Sequence, residues 1–445
     1  KGRNVLNITL EEINTSLNEV VVIGYGTKKR KYLTGAVSSV GSEVFESRPA
    51  ANALSALQGE IPGMVIERSS GQPGNEGFSL NVRGYSSTNG GNSPLVLIDG
   101  IPGDLNLLNP DDILSIDVLK DASASIYGAR AANGVFIVTT KKGKKGKPVI
   151  SYSGNAAITE ESGMMKSPTT YEMAIMDNEA NIHNGAAPMY TPDLLQRIKN
   201  NDPNPIDHPL YGGWKLFFTN TDWIKEVLGN GFQQKHNINI SGGGENSTYY
   251  LSGGYSDQEG VIKYADNANK RYNLRMNYDY DFSKWLRLET KVSLENQHRT
   301  DIGGVGSGGL ITEAIFGMPN VPVYNKEGEF FAQGGWGNAV GEAKQGATST
   351  FDTHNVNTNF KLIADVADGL KINLQAGINY SSENDNDISK SVPLYTWDGD
   401  VAYYAIANPT QSSLTLYNSQ TTYRNYTGYL QYSKRFGKHD VDLMA

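Results

Sequence analysis

The chain has 445 residues, 38% hydrophobic and 19% charged, with a formal net charge of -8. It holds no cysteine, which excludes a disulfide framework, a thiolate nucleophile and a cysteine metal site, and its acidic balance argues against a general nucleic-acid binder. Apolar runs stop at about five residues where a membrane-spanning helix needs about 20, while 49 glycines and 25 tyrosines point to strands and turns.

Residues 1–11 alternate as a single strand and read as the end of a preceding domain. Residues 12–29 hold a polar spacer and then Glu19-Val20-Val21-Val22-Ile23-Gly24-Tyr25-Gly26. Four β-branched residues make a ready strand, but one strand is not stable alone. It reads either as an ordinary strand of the next domain or as a docking strand for another protein.

Residues 30–147 read as an α+β unit. A helix is predicted over 51–58, ended by Gly59, with strands over 63–67, 79–83, 95–99, 113–119 and 134–140. Asn109-Pro110-Asp111-Asp112 carries a cap, a proline at the first helical position and acids in the first turn, which marks a helix start. The lysine-rich run 141–147 reads as a solvated linker.

From 148 onward the period is two. Tyr272, Leu274, Met276, Tyr278, Tyr280 and Phe282 alternate with Asn273, Arg275, Asn277, Asp279 and Asp281. About nine such strands are predicted, several near ten residues or longer, the length a tilted strand needs to cross a bilayer. Short connections (242–246, 281–284, 368–369, 437–438) alternate with long ones (about 159–232, 256–269, 299–353, 382–421). Transmembrane β-barrels sort their loops in this way, with short periplasmic turns and long outer loops; a soluble sandwich has no reason to. Phe282, Trp285, Tyr380 and Phe436 sit near strand ends, as interfacial girdles require. Closure is obligatory in lipid, so the nine strands are expected to be part of a longer barrel, with 30–147 as its plug.

These residues resemble the SusC-type (SusC/RagA) TonB-dependent outer-membrane transporters of Bacteroidetes. Leu17–Thr27 is similar to the TonB box and the residues just after it. Ala53–Gly59 with Pro62-Gly63, Asn81–Gly84, Pro94–Gly100 and Val118–Val135 with Thr139–Lys144 resemble successive plug blocks. The resemblance implies a 22-stranded membrane β-barrel with an N-terminal α+β plug in its lumen: 1–11 the end of a carboxypeptidase-regulatory-like domain, 12–29 the TonB box and linker, 30–147 the plug, 148–445 the first part of the barrel. It implies TonB-dependent import of a large nutrient, foremost an oligosaccharide, across the bacterial outer membrane. The implied partners are TonB, energised by ExbB/ExbD, and a SusD-like lipoprotein lid, in a dimer of SusC–SusD pairs. Import of oligopeptides, and an adhesion or signalling barrel without transport, are the alternatives; a secreted glycan-binding or glycan-cleaving β-protein is a more distant one.

The expected TonB-binding residues are Glu19, Val20, Val21, Val22, Ile23, Gly24 and Tyr25. Among the loop aromatics Tyr211, Trp214, Trp223 and Trp336 are the candidates for stacking on substrate. Arg83, Lys120, Asp121, Tyr127 and Arg130 read as internal polar links of the plug. Gly304, Gly306 and Gly309 match a dinucleotide-loop spacing but lack a βαβ context. Glu383, Asp385 and Asp387 read as a solvated acidic loop without the calcium-loop glycine and final glutamate, and the six histidines show no ligand spacing. No catalytic residue, metal or cofactor is expected.

Overall fold

The computed structural model describes residues 20–23, 26–29, 37–48, 50, 52–82, 84, 93–120, 124, 127–164, 166–406, 411–437 and 439–445. The chain divides into two units, one of residues up to Glu67 with Phe78–Lys141, the other of Arg68–Gly77 with Lys142–Ala445. The expected strand over residues 1–11, together with Glu19, Gly24, Tyr25, Arg83 and Asp121, lies outside the described residues.

In the first unit, strands β1 (Val20–Ile23) and β2 (Gly26–Lys29) pair as a short antiparallel hairpin with Ile23 opposite Gly26. β3 (Val37–Gly41) leads into helices α1 (Ser42–Ser47) and α2 (Ala53–Leu57), then β4 (Met64–Arg68) and β5 (Phe78–Val82), which form their own sheet. β6 (Leu95–Ile98), β7 (Ile101–Pro102), β8 (Ile113–Leu119) and β9 (Val135–Thr140) complete a five-stranded sheet in the order β3-β8-β9-β6-β7, with β6 and β9 parallel. Both faces of the sheet are covered along β9, whose Val135–Val138 is an uninterrupted apolar run. Phe136 and Val138 pack with Phe45, Leu54 and Leu57 of the two helices; Val135 and Ile137, of opposite parity, pack with Leu97, Leu119 and Ala131.

The predicted plug elements are found with small changes of boundary. Asn52 caps α2, its side chain accepting from Leu54 N at 2.8 Å. Asn109 accepts from Asp111 N at 3.1 Å, but the helix it starts is a single turn, Pro110–Asp112, because the β-branched Ile113–Leu119 run comes at once after it. β3 and α1 carry no strong sequence signal and are found only in the structure.

The second unit is built on a nine-stranded antiparallel sheet. Its strands are β10 (Gly146–Thr159), β13 (Gly231–Gly243), β14 (Ser247–Glu259), β15 (Ala268–Ser283), β16 (Leu286–Ile302), β17 (Thr348–Ala367), β18 (Leu370–Ser389), β21 (Ser413–Phe436) and β22 (His439–Met444), in chain order. The lysine run is coil over 141–145 and exposed from Lys144 onward; β10 begins at its end, at Gly146, Lys142 pairs with Glu289 at 3.5 Å, and Lys145 donates to the carbonyl of Glu245.

Burial on this sheet is inverted relative to a soluble protein. Tyr272, Leu274, Met276 and Tyr278 are exposed, while Arg271, Arg275, Asn277 and Asp279 between them are buried. Leu294 is exposed beside buried Ser293 and Glu295, and Leu374 beside buried Asn373 and Gln375. An apolar outer face with a polar inner one is the arrangement of a membrane barrel wall.

The register supplies a second test. The four short turns, after β13, β15, β17 and β21, step along the strand direction by about eight residues across six strand-to-strand steps. That is a shift of ~27 Å over ~29 Å, a strand tilt of about 43°. Barrel strands tilt by about 35–45°. At that tilt each residue rises ~2.5 Å, so the ten residue steps from Tyr272 to Phe282 enclose a band ~25 Å tall, the height of an outer-membrane barrel's apolar belt. Tyr278, Tyr280 and Phe282 line up near the short-turn side; Tyr255 and Tyr272 pack at 5.1 Å toward the long-loop side.

Candidate functional site

The long connections are folded. The first holds α3 (Thr170–His183) and α4 (Pro192–Lys199), then the two-residue strands β11 (Ile206–Asp207) and β12 (Lys215–Leu216), and α5 (Trp223–Val227). The 303–347 connection holds α6 (Gly306–Phe316) and α7 (Ala339–Gln345), and the connection after β18 holds β19 (Val392–Tyr395) paired with β20 (Val401–Ala405). Trp223, Val227, Leu310, Ala314, Val340, Val392 and Leu394 share one core. The loops thus make a lobe with its own interior at the long-loop end of the strands.

Asn338 pins this lobe. It is fully buried, its amide donates to the carbonyls of Val323 (2.8 Å) and Phe331 (2.9 Å), and its side-chain oxygen caps α7 by accepting from Gly341 N at 2.9 Å. Asp301, at the end of β16, accepts from Asn267, from the backbone of Ile302 and Ser307, and from Gln72.

A cavity of about 640 Å³ opens between α6, α7 and β20, lined by Glu313, Phe316, Trp336, Glu342, Tyr403 and Ile406 among others. Glu342 is buried and its carboxyl is pushed up to about 8 by burial and by the neighbouring Glu313 carboxylate. Glu313 is raised by burial as well. The two carboxyls hydrogen-bond, so near neutral pH they hold one proton between them, which lets two buried acids share a site. The Tyr403 hydroxyl donates to the carbonyl of Trp336.

Three of the four expected substrate aromatics fall in one region. Tyr211 is exposed and its ring meets Trp214 at 5.1 Å. Gln333 holds Lys215 by both backbone groups, at 2.8 and 3.0 Å, and Gly334, at φ +69°, lies so close to the Trp214 ring that a side chain there would overlap it. Two residues on, Trp336 is 44% exposed and lines the cavity. Trp223 has another setting: it is 4% exposed, it sits in the lobe core, and its indole donates to the carbonyl of Met318 at 3.0 Å. That leaves it no face to offer a ligand.

Lys120 donates to the carbonyl of Pro62 within the plug unit. The acidic trio is corrected: Glu383, Asp385 and Asp387 lie on β18, not in a loop, and Asp387 accepts from Ser349 at 2.6 Å. Among the described residues no group of acids and histidines is placed to hold a metal ion. Sequence reasoning misses the Glu313–Glu342 pair, whose members are 29 residues apart in a segment that reads as a plain loop.

Comparison with known proteins agrees with this architecture. The model of the TonB-dependent Receptor Plug Domain matches residues 29–135. TonB-dependent receptor P3 of Formosa agariphila is 30% identical over 99% of this chain and 40% of its own length. TonB-dependent receptor SusC of Bacteroides thetaiotaomicron is 29% identical over 99% of this chain and 43% of its own. A solved structure of the RagAB peptide importer in its open-open state superposes with a TM-score of 0.74 at 24% identity, covering 96% of this chain and 48% of that one. A plug unit joined to strands of a tilted, outward-apolar barrel defines a TonB-dependent receptor of the outer membrane. Within that class the chain is similar to the SusC-type receptors. It spans about two fifths of the length of these curated relatives.

Proposed function

We propose that the protein imports a large polar nutrient, foremost an oligosaccharide, across the outer membrane by TonB-dependent opening of its plug. The observation that carries this reading is the apolar strand Val20–Ile23, placed just ahead of the plug sheet and paired among the described residues only with β2. A four-residue hairpin strand has few ladder bonds to lose. It can be exchanged for the sheet edge of a partner, where main-chain hydrogen bonds give strength and alternate side chains give fit. The outer membrane holds no ion gradient, so work on the plug must arrive mechanically, and a strand continuous with the plug can transmit it. Glu19 to Tyr25 are the proposed TonB-binding residues, with ExbB/ExbD as the energy source.

The lobe supports the substrate side of the reading. Tyr211, Trp214 and Trp336 offer aromatic faces next to amides and carboxyls, which suits sugar rings. A SusD-like lipoprotein is the proposed lid over that lobe, in a dimer of such pairs. Deleting residues 19–25 from the complete receptor is expected to abolish uptake while leaving heat-resistant folding and ligand binding intact; normal uptake by the deletion refutes the TonB-box assignment. Competition of uptake by oligosaccharides against oligopeptides decides the cargo class.

A further inference from the structure

The lipid-facing wall carries a trough. A depression of about 470 Å³ is lined by Leu288, Phe360, Leu374, Ala376, Tyr426 and Gly428, with Leu362 at its floor. Its cause is register. Phe360, Ala376 and Tyr426 lie directly opposite one another on β17, β18 and β21, as do Leu362, Leu374 and Gly428 one step along. The small residues Ala376 and Gly428 thus fall on adjacent strands between large neighbours, and the wall dips there. Phe360, Leu374 and Tyr426 are 45%, 53% and 72% exposed, which places the dip on the outward face.

At the top of the trough stands Arg424, two residues beyond Tyr426 on the same face and also exposed. Its register partners, Ile378 and then Thr358, carry no charge. At the tilt derived above, Arg424 lies ~33 Å above its short turn, level with Tyr272, at the long-loop interface. From Tyr426 to Leu288 the trough descends about 20 Å, enough to span one leaflet of a ~30 Å hydrocarbon core.

We propose that this surface is a specific lipid site, resting on the reading of these strands as membrane-spanning: one acyl chain of an outer-leaflet lipid lies in the trough and its phosphate is held by Arg424. A guanidinium at headgroup depth matches a phosphate in charge and can bind it through two parallel N–H groups. An apolar trough directly below fixes where the chain must go.

The test uses the complete receptor, purified in mild detergent, delipidated and titrated with diphosphorylated lipid A or with phosphatidylcholine, with bound lipid read by native mass spectrometry. One lipid A per barrel is expected at saturation. Arg424→Gln, which removes the phosphate contact, and Gly428→Leu, which fills the trough, are each expected to lower its affinity by roughly tenfold. Heat-modifiable migration reports folding of each variant, and Ala376→Leu replaces Gly428→Leu if the latter does not fold. The proposal is overturned if the variants hold lipid A as tightly as the parent, if phosphatidylcholine binds equally well, if inorganic phosphate displaces lipid A at the concentration of a free-anion site, or if the surface is instead occupied by a second copy of the receptor that Gly428→Leu dissociates.

Discussion

The shared proton of Glu313 and Glu342 makes the stability of the loop lobe depend on pH. Glu342 is buried and its carboxyl is raised from an ordinary 4.5 to about 8, first by burial and then by the Glu313 carboxylate; Tyr403, the third titratable group of that cavity, is raised by burial and by the two acids, so it stays protonated throughout. A carboxyl raised in the folded state binds its proton more tightly there than in the open state. Its favourable contribution is complete below about 4.5 and is lost as pH rises through about 8. With 1.36 kcal/mol for each pH unit of displacement, the pair's loss amounts to ~3–5 kcal/mol between pH 5 and 9. Glu342→Gln keeps a neutral donor toward Glu313 in nearly the same volume and removes the titration. Hydrogen exchange or limited proteolysis of segment 303–347 in the complete receptor, at pH 6.5 and 9, is the assay. The parent lobe is expected to lose protection at pH 9, and the Gln variant to hold it. Equal protection of the parent at both pH values, or parallel loss in both proteins, refutes the buried-pair argument.

Other perturbations test other levels of the structure. Asn338→Ala strands the buried Phe331 carbonyl and the Gly341 N–H, while the Val323 carbonyl keeps the Phe331 N–H at 3.0 Å; it is expected to destabilise the lobe by ~2–3 kcal/mol, read as loss of protection in 303–347 with the barrel strands unchanged. Met276→Arg puts a charge on the exposed apolar face near mid-band; it is expected to cost ~2–4 kcal/mol of barrel stability in lipid or detergent. An exposed position of a soluble sheet would tolerate the same change within about 0.5 kcal/mol, so a neutral result in unfolding titrations argues against a membrane wall.

Legibility tracks the strength of local pattern. Over Tyr272–Phe282 of β15 every second residue is apolar, and over Leu286–Leu294 of β16 every second residue is apolar or threonine, so the sequence alone gives the strands, their faces and the short turn between them. β18 is longer than its alternation shows, because Ser381–Ser389 is a run of serines, asparagines and acids without an apolar face; its backbone still pairs fully with β21, rising past the apolar belt where both faces are polar. The lobe reads as loop although its helix starts are written plainly: Thr169 and Glu172 form a capping box, and Thr191 caps a helix whose first residue is Pro192. What no local pattern holds is the meeting of Glu313 with Glu342, or of Gln333 with Lys215. These pairings depend on how separate loops pack on the strands, and composition says nothing of that.

The tilt also explains why residues in one register row do not share one depth. A row perpendicular to the strands climbs by ~3 Å or more at each strand when the strands lean by about 43°. Arg424 therefore lies in the same row as Ile378, Val292 and Met276, yet reaches the interface while Met276 stays in the apolar belt. A flat reading of the sheet would put that arginine in hydrocarbon at ~2–4 kcal/mol. The tilted one puts it at the depth where charge is tolerated and phosphate is found. Sequence alternation sorts the residues of a strand by face, but only the stagger of the turns sorts them by height. It is the two together that separate a costly buried charge from a headgroup contact.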